Sequence, residues 1–209
     1  MKNITGIYGI LPSDLEMEDM LARAESALGG GVRTLQMRDK KQDDSQALKR
    51  ACALRELTSA YQAMLIINDS IHLALESGAD GVHLGRDDIP DLARLRAEAG
   101  TSLLIGISCK GDMDLARRAL DAGADYLSFG AIFPTASKED AVSIGLASLH
   151  RARAQFADAN IVAIGGISKK TLADVKAAGA DAAAMIHALF SAGNIKLRAT
   201  ALVAAWEAA

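Results

Sequence analysis

Leu120-Asp121-Ala122-Gly123-Ala124-Asp125-Tyr126-Leu127-Ser128-Phe129-Gly130 is the stretch that decides the fold. It begins at the end of an amphipathic, helix-like segment (112–122) and finishes in a short apolar run (125–130). Gly123 sits where the two meet. Glycine takes the left-handed conformation that ends a helix, after which the chain can turn directly into a buried strand. The same sign recurs as Gly78-Ala79-Asp80 and Gly179-Ala180-Asp181, and Gly29-Gly30-Gly31 stands in the equivalent place before Val32.

Outward from these markers, apolar runs fall at 4–11, 32–37, 63–68, 80–84, 103–108, 125–130, 161–165 and 181–186. Helix-like segments fall between them at 14–29, 43–60, 70–77, 90–99, 112–122, 145–157, 168–178 and 194–207, with Ser13, Asp112 and Ser168 as candidate caps. Strict alternation of strand and helix, with no linker or low-complexity tract, implies an α/β protein with a parallel sheet. Eight units suggest closure into a (β/α)8 barrel, a single domain over 1–209. At 209 residues it falls below the usual ~250, so its loops must be short. An open doubly wound sheet is the structural alternative.

Composition agrees. Half of the chain is apolar and 23% is charged, enough for a sizeable core, while aromatics at 4% leave that core to small aliphatic side chains. The net charge of −3 gives no basic field, so neither nucleic acid nor a membrane surface is an expected partner, and any anion must be held by a local site. Two cysteines, Cys52 and Cys109, show no metal-ligand spacing and make no disulfide framework. The acidic Asp14, Glu16, Glu18 and Asp19 have the wrong polarity for a signal peptide, and no apolar window reaches the ~18 residues of a membrane span. A cytoplasmic location is the expectation.

In parallel α/β folds ligands gather at the carboxyl ends of the strands. Period-two alternation sends Leu35 and Met37 outward onto helices and Gln36 and Arg38 into the barrel mouth, with Lys40 following. An amide, a guanidinium and an ammonium suit a phosphate or pyrophosphate; a solvated strand end is the plainer reading. Asn68-Asp69 ends the third run, and Asp87-Asp88 follows the fourth. Asp69 and Asp88 are hard-oxygen ligands of the kind Mg²⁺ prefers, or else each caps the following helix. His83 faces inward and reads as a satisfied core residue. Ser108 ends the fifth run, and Thr135, Ser137 and Lys138 lie in the loop after the sixth. Gly165-Gly166 ends the seventh, and the eighth passes through Ile186 into His187, where barrels often bind phosphate through backbone N–H groups. Walker, HExxH, GxSxG and Rossmann fingerprints are absent from the sequence.

Taken in order, Gln36-x-Arg38-x-Lys40, Ile67-Asn68-Asp69, Gly81-Val82-His83-Leu84-Gly85 with Asp88, Gly106-x-Ser108, Gly123-Ala124-Asp125-Tyr126, Phe129-Gly130 through Thr135-x-Ser137-Lys138, and Ala163-Ile164-Gly165-Gly166-Ile167 resemble the thiamine-phosphate synthase family over nearly the whole chain. The resemblance implies a transferase that condenses 4-amino-5-hydroxymethyl-2-methylpyrimidine diphosphate with 4-methyl-5-(2-hydroxyethyl)thiazole phosphate, using Mg²⁺. It implies that Gln36, Arg38, Lys40, Asn68 and Lys138 hold the pyrimidine diphosphate, that Asp69 and Asp88 hold the metal, and that Ser108 lies beside the reacting pyrimidine. Arg38, Ser108 and Lys138 would carry the catalysis. Thr135, Ser137, Gly166, Ile186 and His187 fall where the family grips the thiazole phosphate. The chain departs from the family pattern at Leu11 (often Thr), Arg86 (often Gln), Ser137 (often Thr) and His187 (often Ser). Rival readings are a thiazole tautomerase of the same superfamily and a non-catalytic thiamine-phosphate sensor. The cationic set with two aspartates disfavours the tautomerase, which has no pyrophosphate to neutralise.

Overall fold

Runs such as Met64-Leu65-Ile66-Ile67 are apolar on both faces, which suits strands covered by helices outside and packed against one another inside. In the computed structural model, which describes residues 3–39, 43–85, 92–135 and 142–209, each of the eight runs is a strand. These are β1 (Gly6–Ile10), β2 (Thr34–Met37), β3 (Met64–Asn68), β4 (Gly81–Leu84), β5 (Leu104–Ser108), β6 (Tyr126–Phe129), β7 (Asn160–Ile164) and β8 (Ala182–Met185). Each pairs in parallel with its sequence neighbour, and β8 returns to β1, so the barrel is closed and the open-sheet alternative falls.

The helices among the described residues are α1 (Met17–Gly29), α2 (Asp44–Ala60), α3 (Ile71–Glu76), α4 (Leu92–Ala99), α5 (Met113–Asp121), α6 (Gly145–Gln155), α7 (Leu172–Ala177), α8 (His187–Phe190) and α9 (Ile195–Glu207). Two details differ from expectation. Ser13 does not cap α1, which opens at Glu16 without a side-chain cap bond. The single turn α8 follows β8 directly and starts at His187. Asp112 does cap α5, accepting from Leu115 N–H at 2.9 Å, and Ser168 forms a capping box with Thr171 on a 3-10 turn (Lys169–Thr171) before α7.

Alternation divides the core in two. Leu35, Met37, Leu65, Ile67, Val82, Ile105, Ile107, Leu127 and Phe129 point out into the layer shared with the helices. Ile4, Tyr8, Ile10, Ile66, Tyr126, Val162, Ala182 and Ala184 form a second, smaller cluster inside the barrel.

The Gly-Ala-Asp markers carry a structural device at the amino ends of alternate strands. Asp80, Asp125 and Asp181 precede β4, β6 and β8, and each accepts the backbone N–H of a residue on the preceding strand, β3, β5 or β7: Leu65 at 3.0 Å, Ile105 at 2.7 Å and Ile161 at 2.7 Å. Each also meets an arginine from α2, α4 or α6: Arg55 at 2.9 Å, Arg96, and Arg153 at 2.7 Å. Before β2 the place of the aspartate is taken by Arg33, whose guanidinium donates to the carbonyls of Leu28 and Val32. This clamped rim leaves the opposite rim to carry function.

Candidate active site

At the carboxyl rim, Gln36 is the last inward residue within β2 and is only 2% exposed. Half-buried Arg38 follows one residue past the strand. On the neighbouring strand Asn68 ends β3, and its Nδ2 donates to Oδ2 of Asp69 at 2.5 Å. Asp69 is exposed and holds a left-handed backbone, φ 65°. A non-glycine residue in that region costs energy, and such strain collects at functional positions. The cap reading of Asp69 fails, because Ser70 caps α3 by accepting from Leu73 N–H at 3.1 Å. Ser108 ends β5, half-buried, opposite Ser128 on β6.

The far side of the rim is built by two touching loops. Ile132 N–H donates to the Ile164 carbonyl at 2.9 Å and Phe133 N–H to the Gly165 carbonyl at 3.0 Å. Gly166, at φ 66°, lies so near this loop that a Cβ would stand 2.5 Å from the Pro134 carbonyl oxygen. Thr135 is half-buried at the end of the described part of that loop. Ile186 packs on the inner barrel cluster, and His187 is exposed at the first residue of α8. Gln36, Arg38, Asn68, Asp69, Ser108, Thr135, Gly166, Ile186 and His187 therefore share one rim. Lys40, Asp88, Ser137 and Lys138, with Arg86, lie outside the described residues. Among the described residues no three His, Cys, Asp or Glu side chains gather into a metal cluster.

Beneath the rim runs a polar chain that sequence reasoning did not assemble. Gln36 Nε2 donates to the Tyr8 hydroxyl at 2.7 Å, that hydroxyl lies 3.4 Å from the Tyr126 hydroxyl, and the latter lies 3.0 Å from His83 Nδ1. His83 Nε2 faces Ser128 Oγ at 3.4 Å. The His83 ring stacks on Tyr126, with centroids 5.5 Å apart and planes 18° from parallel. Burial among these neutral groups lowers the His83 pKa from 6.5 to about 4, keeping it uncharged at neutral pH. Burial likewise holds the Tyr8 and Tyr126 hydroxyls protonated, since both pKa values are raised. His83 is thus a satisfied interior residue, as its solitary inward position suggested. The available signal was that Tyr8, Gln36, His83 and Tyr126 all have inward parity; their mutual reach needed the closed barrel.

The thiamine monophosphate synthase model matches residues 7–189. The chain is 44% identical over 203 residues to a thiamine-phosphate synthase of Chromobacterium violaceum, covering 97% of this chain and 96% of that one. The chain belongs to the thiamine monophosphate synthase family. Another member, the thiamine-phosphate synthase of Methylobacillus flagellatus, is 43% identical over 94% of this chain and 92% of its own. A solved thiamine phosphate pyrophosphorylase from Pyrococcus furiosus superposes with a TM-score of 0.85 at 32% identity, over 97% of this chain and 96% of that one. Membership of the thiamine monophosphate synthase family and the closed barrel both agree with the expectation drawn from the ordered motifs. Among the described residues no helix is long and apolar enough to cross a membrane.

Proposed function

We propose that this chain joins 4-amino-5-hydroxymethyl-2-methylpyrimidine diphosphate to 4-methyl-5-(2-hydroxyethyl)thiazole phosphate, giving thiamine phosphate and pyrophosphate in a cytoplasm that keeps its two thiols reduced. The observation that carries this reading beyond family membership is the convergence of Gln36, Arg38, Asn68, Asp69 and Ser108 on the ends of β2, β3 and β5. A guanidinium and a carboxylate just past the ends of neighbouring strands at a barrel mouth suit a diphosphate that arrives with a divalent ion.

The bond that breaks joins the pyrimidine methylene to the diphosphate oxygen, whose electron pair leaves with pyrophosphate. The ring amino group delocalises the methylene cation that remains, and the thiazole nitrogen supplies the pair that forms the new carbon–nitrogen bond. No covalent nucleophile from the protein is required. Arg38, with Lys40 and Lys138, opposes the charge gathering on the leaving group, and preorganised charge of this kind acts without reorganisation at the moment of reaction. Gln36 and Asn68 orient the pyrimidine diphosphate, with Ser108 beside the reacting carbon. Thr135, Ser137, Gly166, Ile186 and His187 hold the thiazole phosphate in line, which converts a bimolecular attack into a positioned one.

The donor set fits a magnesium ion. Asp69 offers a hard carboxylate at the rim, its backbone is left-handed, and capping of α3 falls to Ser70 instead. Asp69 and Asp88 would hold the ion, which when bound supplies positive charge to the diphosphate oxygens.

The test is direct. Purified protein with both substrates and Mg²⁺ should yield thiamine phosphate and pyrophosphate one for one, and Asp69→Ala and Arg38→Ala should each lose about 10²–10³ in turnover while remaining folded. No carbon–nitrogen bond formation by folded protein overturns the reading in favour of a tautomerase or a sensor. Full turnover in a folded Asp69→Ala protein removes the metal assignment.

A further inference from the structure

The interior chain Gln36–Tyr8–Tyr126–His83 crosses the barrel from β2 through β1 and β6 to β4. Its members are remote in sequence, and all but the half-buried His83 are almost entirely enclosed: Gln36 is 2% exposed and the two tyrosines 1% each. Room for it is made on purpose. A Cβ on Gly106, across from Tyr126 in the β5–β6 register, would stand 1.9 Å from the tyrosine Cζ, so only glycine at that position admits the ring. A space left for a buried phenol, rather than for an apolar ring of the same shape, must answer for the cost of enclosing a hydroxyl.

The proton order along the chain supplies the answer. A tyrosine hydroxyl has one proton to donate. Gln36 Nε2 donates to Tyr8, and for every hydroxyl proton in the row to have an acceptor, the Tyr8 proton must go to Tyr126 and the Tyr126 proton to His83 Nδ1. The neutral imidazole then carries its own proton on Nε2, facing Ser128 Oγ. Every donor runs the same way. Turning the Gln36 amide over would put its oxygen against Tyr8, and Tyr8 would have to donate to it. The Tyr126 proton would then reverse, and the histidine proton would move from one ring nitrogen to the other. One amide cannot flip without the whole row.

From this geometry we infer that Tyr8, Tyr126 and His83 are positioning residues that hold the Gln36 amide against turning over, because its donor–acceptor order is tied to that of the whole row, and so steady which of its atoms, donor or acceptor, meets the pyrimidine. The consequence is specificity. The two orientations of an amide have the same shape, so packing alone cannot choose between them, whereas an aminopyrimidine has a donor amine beside an acceptor ring nitrogen and tolerates one order only. A site whose buried partner presents the wrong atom leaves a polar group unpaired, which is where hydrogen-bonding sites gain their discrimination. This inference rests on the reading that Gln36 contacts the pyrimidine diphosphate.

A double-mutant cycle tests it. Tyr126→Phe keeps the ring and removes the link. It should lower kcat/KM for the pyrimidine diphosphate by about tenfold, the worth of one buried hydrogen bond. It should leave KM for the thiazole phosphate within about twofold, because the link acts through Gln36 and not through the residues that would hold that substrate. In a Gln36→Ala background the same change should cost less than about twofold, because the group it positions is gone. Tyr8→Phe is judged by the same criteria and stands in should Tyr126→Phe not fold. Equal losses in both backgrounds, or equal rises in KM for both substrates, overturn the positioning role while leaving the assignment of Gln36 intact. Unimpaired kcat/KM in Gln36→Ala overturns both.

Discussion

Nε of Arg50, on α2, lies 2.7 Å from Oδ2 of Asp39, and each side chain is only 7% exposed. The two form a buried ion pair, and Arg50 Nη2 also donates to the Leu15 carbonyl at 2.8 Å. Asp39 stands between Arg38 and Lys40 in the chain. The pair therefore ties the cationic end of β2 to α2 and to the loop after β1. Breaking a buried pair by removing one partner leaves the other charged and enclosed, a loss of about 3–5 kcal/mol. Arg50→Met should show that loss in urea unfolding, together with a raised KM for the pyrimidine diphosphate. A midpoint unchanged from the parent protein would mean the pair is not anchoring this strand end.

Asp125 belongs to the opposite rim and should separate stability from activity. Its Oδ2 accepts from Ile105 N–H at 2.7 Å and meets Arg96. Asp125→Ala leaves that N–H without its acceptor at the start of β5, worth about 1–3 kcal/mol. The half-open Arg96 pair adds little, since ion pairs near water contribute modestly. Chemical denaturation should register the loss, and kcat/KM per folded molecule should match the parent protein. An activity defect larger than the loss of folded protein would contradict a purely structural rim.

Gly106→Ala tests the space behind Tyr126. The added carbon would overlap the phenol ring, with Cε1 at 2.2 Å as well as Cζ at 1.9 Å. Overpacking a dense interior costs about 1–3 kcal/mol, and here the ring must leave its stacked place on His83. A crystal structure of the variant should show the Tyr126 hydroxyl displaced from His83 Nδ1, and thermal unfolding should come earlier. An unmoved ring at unchanged stability would show the barrel interior to be looser than the close approach implies.

His83 makes stability depend on pH. Its folded pKa of about 4 lies below the ordinary 6.5, so the unfolded chain takes up a proton first as the medium is acidified. The histidine thus costs nothing above pH 6.5 and progressively destabilises the fold between 6.5 and about 4. The full difference corresponds to about 3 kcal/mol, at about 1.4 kcal/mol per pH unit. Urea unfolding of the parent protein and of His83→Asn at several pH values isolates this contribution, since every other titrating group is common to both. Identical pH dependence in the two proteins would mean that water reaches the ring and its proton is not excluded.

Much of this architecture is legible one residue at a time. Apolar runs that alternate with amphipathic segments specify strands and helices locally, and the glycine before Asp80, Asp125 or Asp181 fixes where each turn occurs. Ser13 misled because a good capping residue is common in loops, and α1 starts only at Met17. The turn α8, four residues long, is too short to leave a periodic signal. At the site, parity alone sends Gln36 and Asn68 to the mouth, and the strand ends collect Asp69 and Ser108. Whether Asp69 capped α3 was undecidable until Ser70 was seen to do so.

The order of elements, the inward faces and the family motifs were thus determined by the sequence itself, because each depends on backbone geometry and hydrophobic spacing within a few residues. Closure decided the rest. The Tyr8 and Tyr126 hydroxyls are 118 residues apart in the chain, and only an eight-stranded ring whose last strand returns to its first brings them to 3.4 Å. A polar row through the barrel, and the buried Arg50–Asp39 pair that tethers the cationic strand end, are properties of side chains meeting in an enclosed volume. Local pattern fixes which way a side chain points; the curvature of the whole sheet fixes what it finds there.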